Sequence, residues 1–185
     1  MLEIRWHSRA GQGAVTGAKG LAEVVATTGK EVQAFAFYGS AKRGAAMTAY
    51  NRVDDKVILN HEKYMQPDYV LVIDPALVYT TDITANEKED TIYIITTHLC
   101  TQELIASQPK LLGKKVFTID CIKISQETLG KAIPNTPMLG ALMKISGMYD
   151  IEFFKESMIR VLQKLPQKMI DANMIAIQRA YDEVN

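Results

Sequence analysis

From residue 2 to residue 7 apolar and polar side chains alternate, with Leu2, Ile4 and Trp6 on one side and Glu3, Arg5 and His7 on the other. A period of two marks a strand, and the polar side predicts a face left to water or to a partner chain. Beyond Gly13 the spacing changes to three and four. Val15, Ala18, Leu21, Ala22, Val25 and Ala26 then outline a helix face, and Gly29 supplies the stop. Val32 to Phe37 predicts a second strand, and Ala45 to Val53 a third after the loop Tyr38 to Gly44. Asp54-Asp55 has the chemistry of a hairpin turn into Val57-Ile58-Leu59. Tyr69 to Ile73 is a continuous apolar run closed by Asp74-Pro75, as in a central strand buried on both faces. Thr91 to Thr97 and Val116 to Ile119 repeat that theme, and the stretch Thr101 to Ser107 between them reads as partly helical.

The last third changes character. Asn135-Thr136-Pro137 predicts a helix start, with a capping side chain and a proline in the first turn, running towards Gly147. Asp150 predicts a cap for another helix to about Leu165, and Met169, Ile170, Ile175, Ile177, Ala180 and Tyr181 mark a final amphipathic helix. The fold class is therefore α/β, a largely parallel Rossmann-like sheet with flanking helices and a helical C-terminal third.

With 185 residues, 48% of them apolar, and no repeat or linker, the chain is sized for one domain. Its 21 basic residues balance 21 acidic ones without long runs of either sign, which argues against a nucleic-acid surface. No stretch has the length of a signal peptide or membrane span, so a cytoplasmic protein without membrane attachment is expected. Cys100 and Cys121 are too few for a disulfide framework or a four-thiolate cluster site. His7, His61 and His98 are scattered singly without metal-ligand spacing, which favours structural roles, and both cysteines are expected to be small core residues. No catalytic acid–base pair emerges.

Chemistry concentrates at the end of the first strand, in Arg9-Ala10-Gly11-Gln12-Gly13. Glycines there let backbone amides approach a ligand, and the following helix offers free N–H groups and the positive end of its dipole, a combination suited to phosphate or pyrophosphate, or else to a purely structural strand-to-helix turn. A dinucleotide fingerprint fits less well. The third glycine falls at Gly17 rather than at Thr16, and the second strand ends without the acid that would hold a ribose. Lys19 lacks the Gly-Lys-Ser/Thr context of a Walker A loop. Lys42 and Arg43, on the loop after the second strand, can meet a ribose phosphate or a CoA 3′-phosphate, or belong to a solvated loop or a salt bridge to a partner chain; Phe37 and Tyr38 beside them can stack on a base or simply pack. Asp74 and Asp120 close strands, where they can face a crevice or cap the next turn.

The run Ile4 to Gly13, Val32-Gln33-Ala34-Phe35, Tyr38-Gly39 through Arg43-Gly44-Ala45, Pro134 to Ala141, and the closing Ile170-Asp171-Ala172-Asn173 and Ala180-Tyr181 together resemble the gamma subunits of pyruvate:ferredoxin oxidoreductases, in the 2-oxoacid:acceptor oxidoreductase family. The resemblance spans residues 1–185 as one gamma domain. It implies an assembly with alpha, beta and delta subunits that converts pyruvate and CoA to acetyl-CoA and CO2, passing electrons to ferredoxin or flavodoxin. Thiamine diphosphate, magnesium and [4Fe–4S] clusters would lie on those partners, leaving this chain no catalytic residue and no metal. For this chain it implies CoA contact, with pyrophosphate at Arg9, Ala10, Gly11, Gln12 and Gly13 and a 3′-phosphate near Lys42 or Arg43. The family's turn reads Gly-Arg-Gly-Gly-Gln-Gly, so Ser8 and Ala10 replace two glycines, and a positive φ at Ala10 would be strained. Two other readings are a purely structural docking subunit of a 2-oxoglutarate or branched-chain oxidoreductase, and a free-standing NADP-linked reductase.

Overall fold

The computed structural model describes residues 1–39, 44–59 and 66–185. Its six-stranded sheet has the order β2-β3-β1-β4-β5-β6. The strands are β1 (Leu2–Arg9), β2 (Glu31–Tyr38), β3 (Ala46–Asp54), β4 (Tyr69–Val72), β5 (Ile92–Thr96) and β6 (Lys115–Ile119). Strands β1, β4, β5 and β6 run parallel, and only β3, antiparallel to both β1 and β2, runs against the rest. The carboxyl ends of β1, β2, β4, β5 and β6 therefore share one edge of the sheet, the edge where α/β proteins seat ligands. The strand after the first helix lies at the outer edge, separated from β1 by β3, so the order departs from a doubly wound sheet.

Two strand expectations are corrected. Residues 57–59 form no strand: β3 is already paired with β2 on one side and β1 on the other, leaving no edge for a chain folding back. Val57 and Leu59 are exposed, and the hairpin that forms joins β2 to β3. The polar side of β1 is not wet. Glu3, Arg5 and His7 are all buried, and the segment after β4 reaches over Arg5. Arg5 donates to the carbonyls of Ile83 (2.8 Å) and Ala85 (2.6 Å), and Glu3 pairs with the buried Arg52 at 3.1 Å. The alternation thus records two buried faces of different polarity.

His7 makes no ion pair among the described residues. Burial, with the Arg5 charge adding to it, pushes its imidazole down from the ordinary 6.5 to about 3. Between those values the unfolded chain holds a proton that the folded chain does not, so stability falls with acidification by about 1.4 kcal/mol per pH unit from this group. Denaturant midpoints between pH 7 and 4 are expected to show this slope, and His7→Gln to flatten it; an unchanged slope in the variant contradicts the assignment.

Helices cover both faces unequally. On one face α1 (Ala14–Ala26), α4 (Cys121–Leu129), α5 (Asn135–Ser146), α6 (Ile151–Val161) and α7 (Gln167–Glu183) bury the main core around Ile4, Trp6, Leu71, Ile94 and Phe154. On the other, α2 (Leu77–Thr80), α3 (Thr101–Ser107) and a 3-10 turn at Pro109–Leu111 cover Val70, Val72, Tyr93 and Ile95. Asp150 caps α6 as expected, accepting from the amides of Glu152 and Phe153, but the helix ends at Val161 rather than near Leu165. On α7 the buried positions are Ile170, Asn173, Ala176, Ile177 and Ala180, while Met169 and Ile175 face outward. Cys121 is buried, but Cys100 is exposed at the start of α3. Among the described residues no helix is long and apolar enough to cross a membrane.

Candidate functional site

β1 ends at Arg9 and α1 begins at Ala14, so the chain reverses within four residues. Gly11 and Gly13 carry the reversal with φ of 97° and 91°, a left-handed region that disfavours L side chains. Gly13 is also sterically required, since a Cβ there would meet Asn135 Cγ at 2.9 Å. Gly17 has a different duty. A Cβ at this position would approach the Trp6 ring to 3.1 Å, so its absence lets α1 lie close on β1. Ala10 does not have positive φ, so the strain that such a conformation would bring is not present in this turn.

Backbone groups at the turn are left available. Gly13 caps α1 without a side-chain hydrogen bond, and the amides of Gly11, Gly13, Ala14, Val15 and Thr16 have no acceptor among the described residues. Those amides and the helix dipole supply a positive field for an anion. The Ala10 amide is engaged, donating to the Ala45 carbonyl, which brings the start of β3 against the turn.

The two long side chains of the turn are braced. Gln12 Oε1 accepts from the Arg9 amide (2.8 Å) and the Ser8 hydroxyl (3.2 Å), while its Nε2 donates to Asp74 Oδ2 (2.7 Å). Arg9 Nε donates to the same carboxylate oxygen (3.0 Å), and its Nη1 donates to the Gly44 carbonyl (3.0 Å). Arg9 Nη2 has no partner among the described residues. Gln12 is therefore a strut within the turn, and Arg9 is held with one edge of its guanidinium open.

The structure brings to the turn two side chains from distant parts of the chain: Asp74, expected to face a crevice or cap the next turn, and Asn135, expected only as a helix cap. Asp74, just beyond β4, sits beside the turn because the parallel pairing continues with Ile73 donating to the His7 carbonyl. Asn135 was expected to cap α5, yet Pro134 occupies that position and Asn135 makes no cap hydrogen bond. Its side chain instead packs on Gly13 and Gly17, with Oδ1 buried and unpartnered among the described residues. The strand-end position of Asp74 was the available signal; nothing local marked Asn135. Asp120 does cap its helix, accepting from the Lys123 amide.

Lys42 and Arg43 lie outside the described residues, as does His61. The flanking Gly44 and Ala45 reach the turn, so the β2–β3 loop starts and ends at this edge. Phe37 packs against Phe35 and Tyr50, whereas Tyr38 is 63% exposed. Among the described residues no three His, Cys, Asp or Glu side chains come together as a metal site. A cavity of about 570 Å³ lies farther along the same edge, bordered by Thr97, His98, Cys100, Asp120 and Lys123, and it does not include the turn.

A family model described as pyruvate ferredoxin/flavodoxin oxidoreductase matches residues 3–183. The chain is 38% identical over 183 residues to the pyruvate/ketoisovalerate oxidoreductases common subunit gamma of Pyrococcus furiosus, covering 99% of this chain and 97% of that protein. Its structure is similar to the crystal structure of pyruvate oxidoreductase subunit PORC from Thermotoga maritima, with TM-score 0.85 and 37% identity over 100% of this chain and 97% of that one. The fold also recurs, at 16% identity and TM-score 0.78, in a 2-oxoglutarate:ferredoxin oxidoreductase from Magnetococcus marinus, matching 98% of this chain and 30% of that chain.

Proposed function

The chain belongs to the pyruvate ferredoxin/flavodoxin oxidoreductase family, and we propose that it is the gamma subunit of a multisubunit pyruvate synthase, contributing CoA binding and assembly to a reaction performed on partner chains. The observation that carries the CoA part is the turn itself: unengaged amides at the head of α1 beside the braced Arg9, a fit for a pyrophosphate. Lys42 and Arg43 remain proposed contacts for the 3′-phosphate.

In this reading the alpha, beta and delta subunits hold thiamine diphosphate with magnesium and the [4Fe–4S] clusters, and electrons leave to ferredoxin or flavodoxin. Thiamine diphosphate supplies the carbanion chemistry when bound to its own subunit. The residues of this chain agree with such a division of labour, because Cys100 is exposed, Cys121 is buried, and two thiols cannot complete a four-cysteine cluster site. The choice of 2-oxoacid is also assigned to the partners. The Pyrococcus furiosus relative is named as a subunit common to pyruvate and ketoisovalerate oxidoreductases, which supports a gamma chain indifferent to the 2-oxoacid.

The test is steady-state kinetics of the assembled complex carrying Arg9→Ala. Loss of a charge-assisted contact to phosphate is expected to raise the KM for CoA roughly tenfold or more, with the KM for pyruvate unchanged. An unchanged KM for CoA would favour a docking subunit that never touches CoA.

A further inference from the structure

We propose that Asp74 is a positioning residue for the anion-binding turn, holding Arg9 and Gln12 in place through a single carboxylate oxygen. The inference rests on the reading that this turn takes a phosphate group of CoA.

Asp74 is only 7% exposed, and its carboxylate is well supplied with donors. Oδ2 accepts from Gln12 Nε2 at 2.7 Å and from Arg9 Nε at 3.0 Å, while Oδ1 accepts from the Ala76 amide at 2.9 Å. The two bonds at Oδ2 fasten both ends of the turn, and Gln12 then closes the loop by accepting from the Arg9 amide. Residues 9 and 12 are thus tied to β4 rather than only to each other.

A carboxylate beside an anion site has two opposing effects. Its charge repels a phosphate, which weakens binding, yet it fixes two long, rotamer-rich side chains before the ligand arrives, which strengthens binding. Geometry decides between them here. The Asp74 charge is already compensated by Arg9 at salt-bridge distance, whereas without Asp74 the guanidinium keeps, among the described residues, only the Gly44 carbonyl, and Gln12 loses the anchor of its amide group. Ordering dominates.

The experiment compares Asp74→Ala, Asp74→Asn, Arg9→Ala and the Arg9→Ala/Asp74→Ala pair in the assembled oxidoreductase, measuring KM for CoA and for the 2-oxoacid. Ordering two side chains predicts a KM for CoA raised roughly tenfold by Asp74→Ala. Asp74→Asn should cost less, since its one amide oxygen can still accept from Arg9 and Gln12, although its NH2 then stands where Oδ1 accepts from the Ala76 amide. The KM for the 2-oxoacid stays unchanged. Because Asp74 acts through Arg9 and Gln12, the double variant is expected to fall well short of the product of the two single effects. Tighter CoA binding in both Asp74 variants, or no change in either while Arg9→Ala is impaired, overturns the positioning role alone. An unimpaired Arg9→Ala complex overturns the CoA reading of the turn, and the role of Asp74 with it.

Discussion

Replacing Gly140 with alanine is expected to destabilise the isolated chain by roughly 3 kcal/mol, close to the upper end of what overpacking a core usually costs. In a helix interior the same change normally gains about 1 kcal/mol from propensity, so the sign itself is diagnostic. The reason is the crossing of α5 and α7. A Cβ on Gly140 would stand 2.1 Å from the Ile177 carbonyl oxygen and 2.9 Å from its carbon, and neither is the movable end of a side chain. Relief requires the helices to separate, although Ala176, Ile177 and Ala180 of α7 are all buried in the core they share. Urea unfolding followed by the fluorescence of Trp6, the single tryptophan, reads this directly. A midpoint equal to or above that of the parent chain would refute the close contact. Because the first turn of α5 presses Asn135 on Gly13, the variant should also loosen the turn between β1 and α1.

Asn51→Ala is expected to cost about 3 kcal/mol as well, by a different route. Asn51 is fully buried on β3, where its Oδ1 accepts from Trp6 Nε1 at 2.9 Å and its Nδ2 donates to the Ala18 carbonyl at 2.8 Å. One amide thereby joins three elements, β3, β1 and α1. Truncation leaves the indole N–H buried without an acceptor and a void where the carboxamide packed. Asn51→Asp separates the two contributions. It preserves the acceptor for Trp6 but sets a buried carboxylate against the Ala18 carbonyl, so it should be the less stable variant despite its conserved shape. If Asp proves milder than Ala in the same unfolding experiment, volume rather than hydrogen bonding controls the site.

These positions differ in how far they could be read without coordinates. Gly11 and Gly13 were legible because a glycine pair between a strand and a helix has a local cause, the left-handed backbone, which needs no knowledge of the rest of the chain. Tyr69 to Ile73 was legible as a central strand for a similar reason: an unbroken apolar run bounded by Asp-Pro has few other uses. Gly140 was not. It lies inside an apolar helix, and its requirement comes from a carbonyl 37 residues away in sequence. The polar face of β1 misled for the same reason, since Arg5 finds its acceptors at Ile83 and Ala85, beyond the next strand in the sheet. Residues 57–59 were misread because pairing depends on which edges of β3 remain free, and none does.

By itself the sequence determined the local periods, the strand-to-helix turn and the whole-length family likeness, each set by neighbours within a few residues or by the order of residues along the chain. Only the tertiary structure decided how that turn is armed: that Asp74 holds Arg9 and Gln12, that Gly44 and Ala45 close against it, and that Asn135 packs beneath it. The physical reason is reach. Backbone strain and periodicity act over one or two turns of chain, whereas hydrogen bonds of about 3 Å join groups that only a completed sheet, with its parallel carboxyl ends gathered at one edge, brings together.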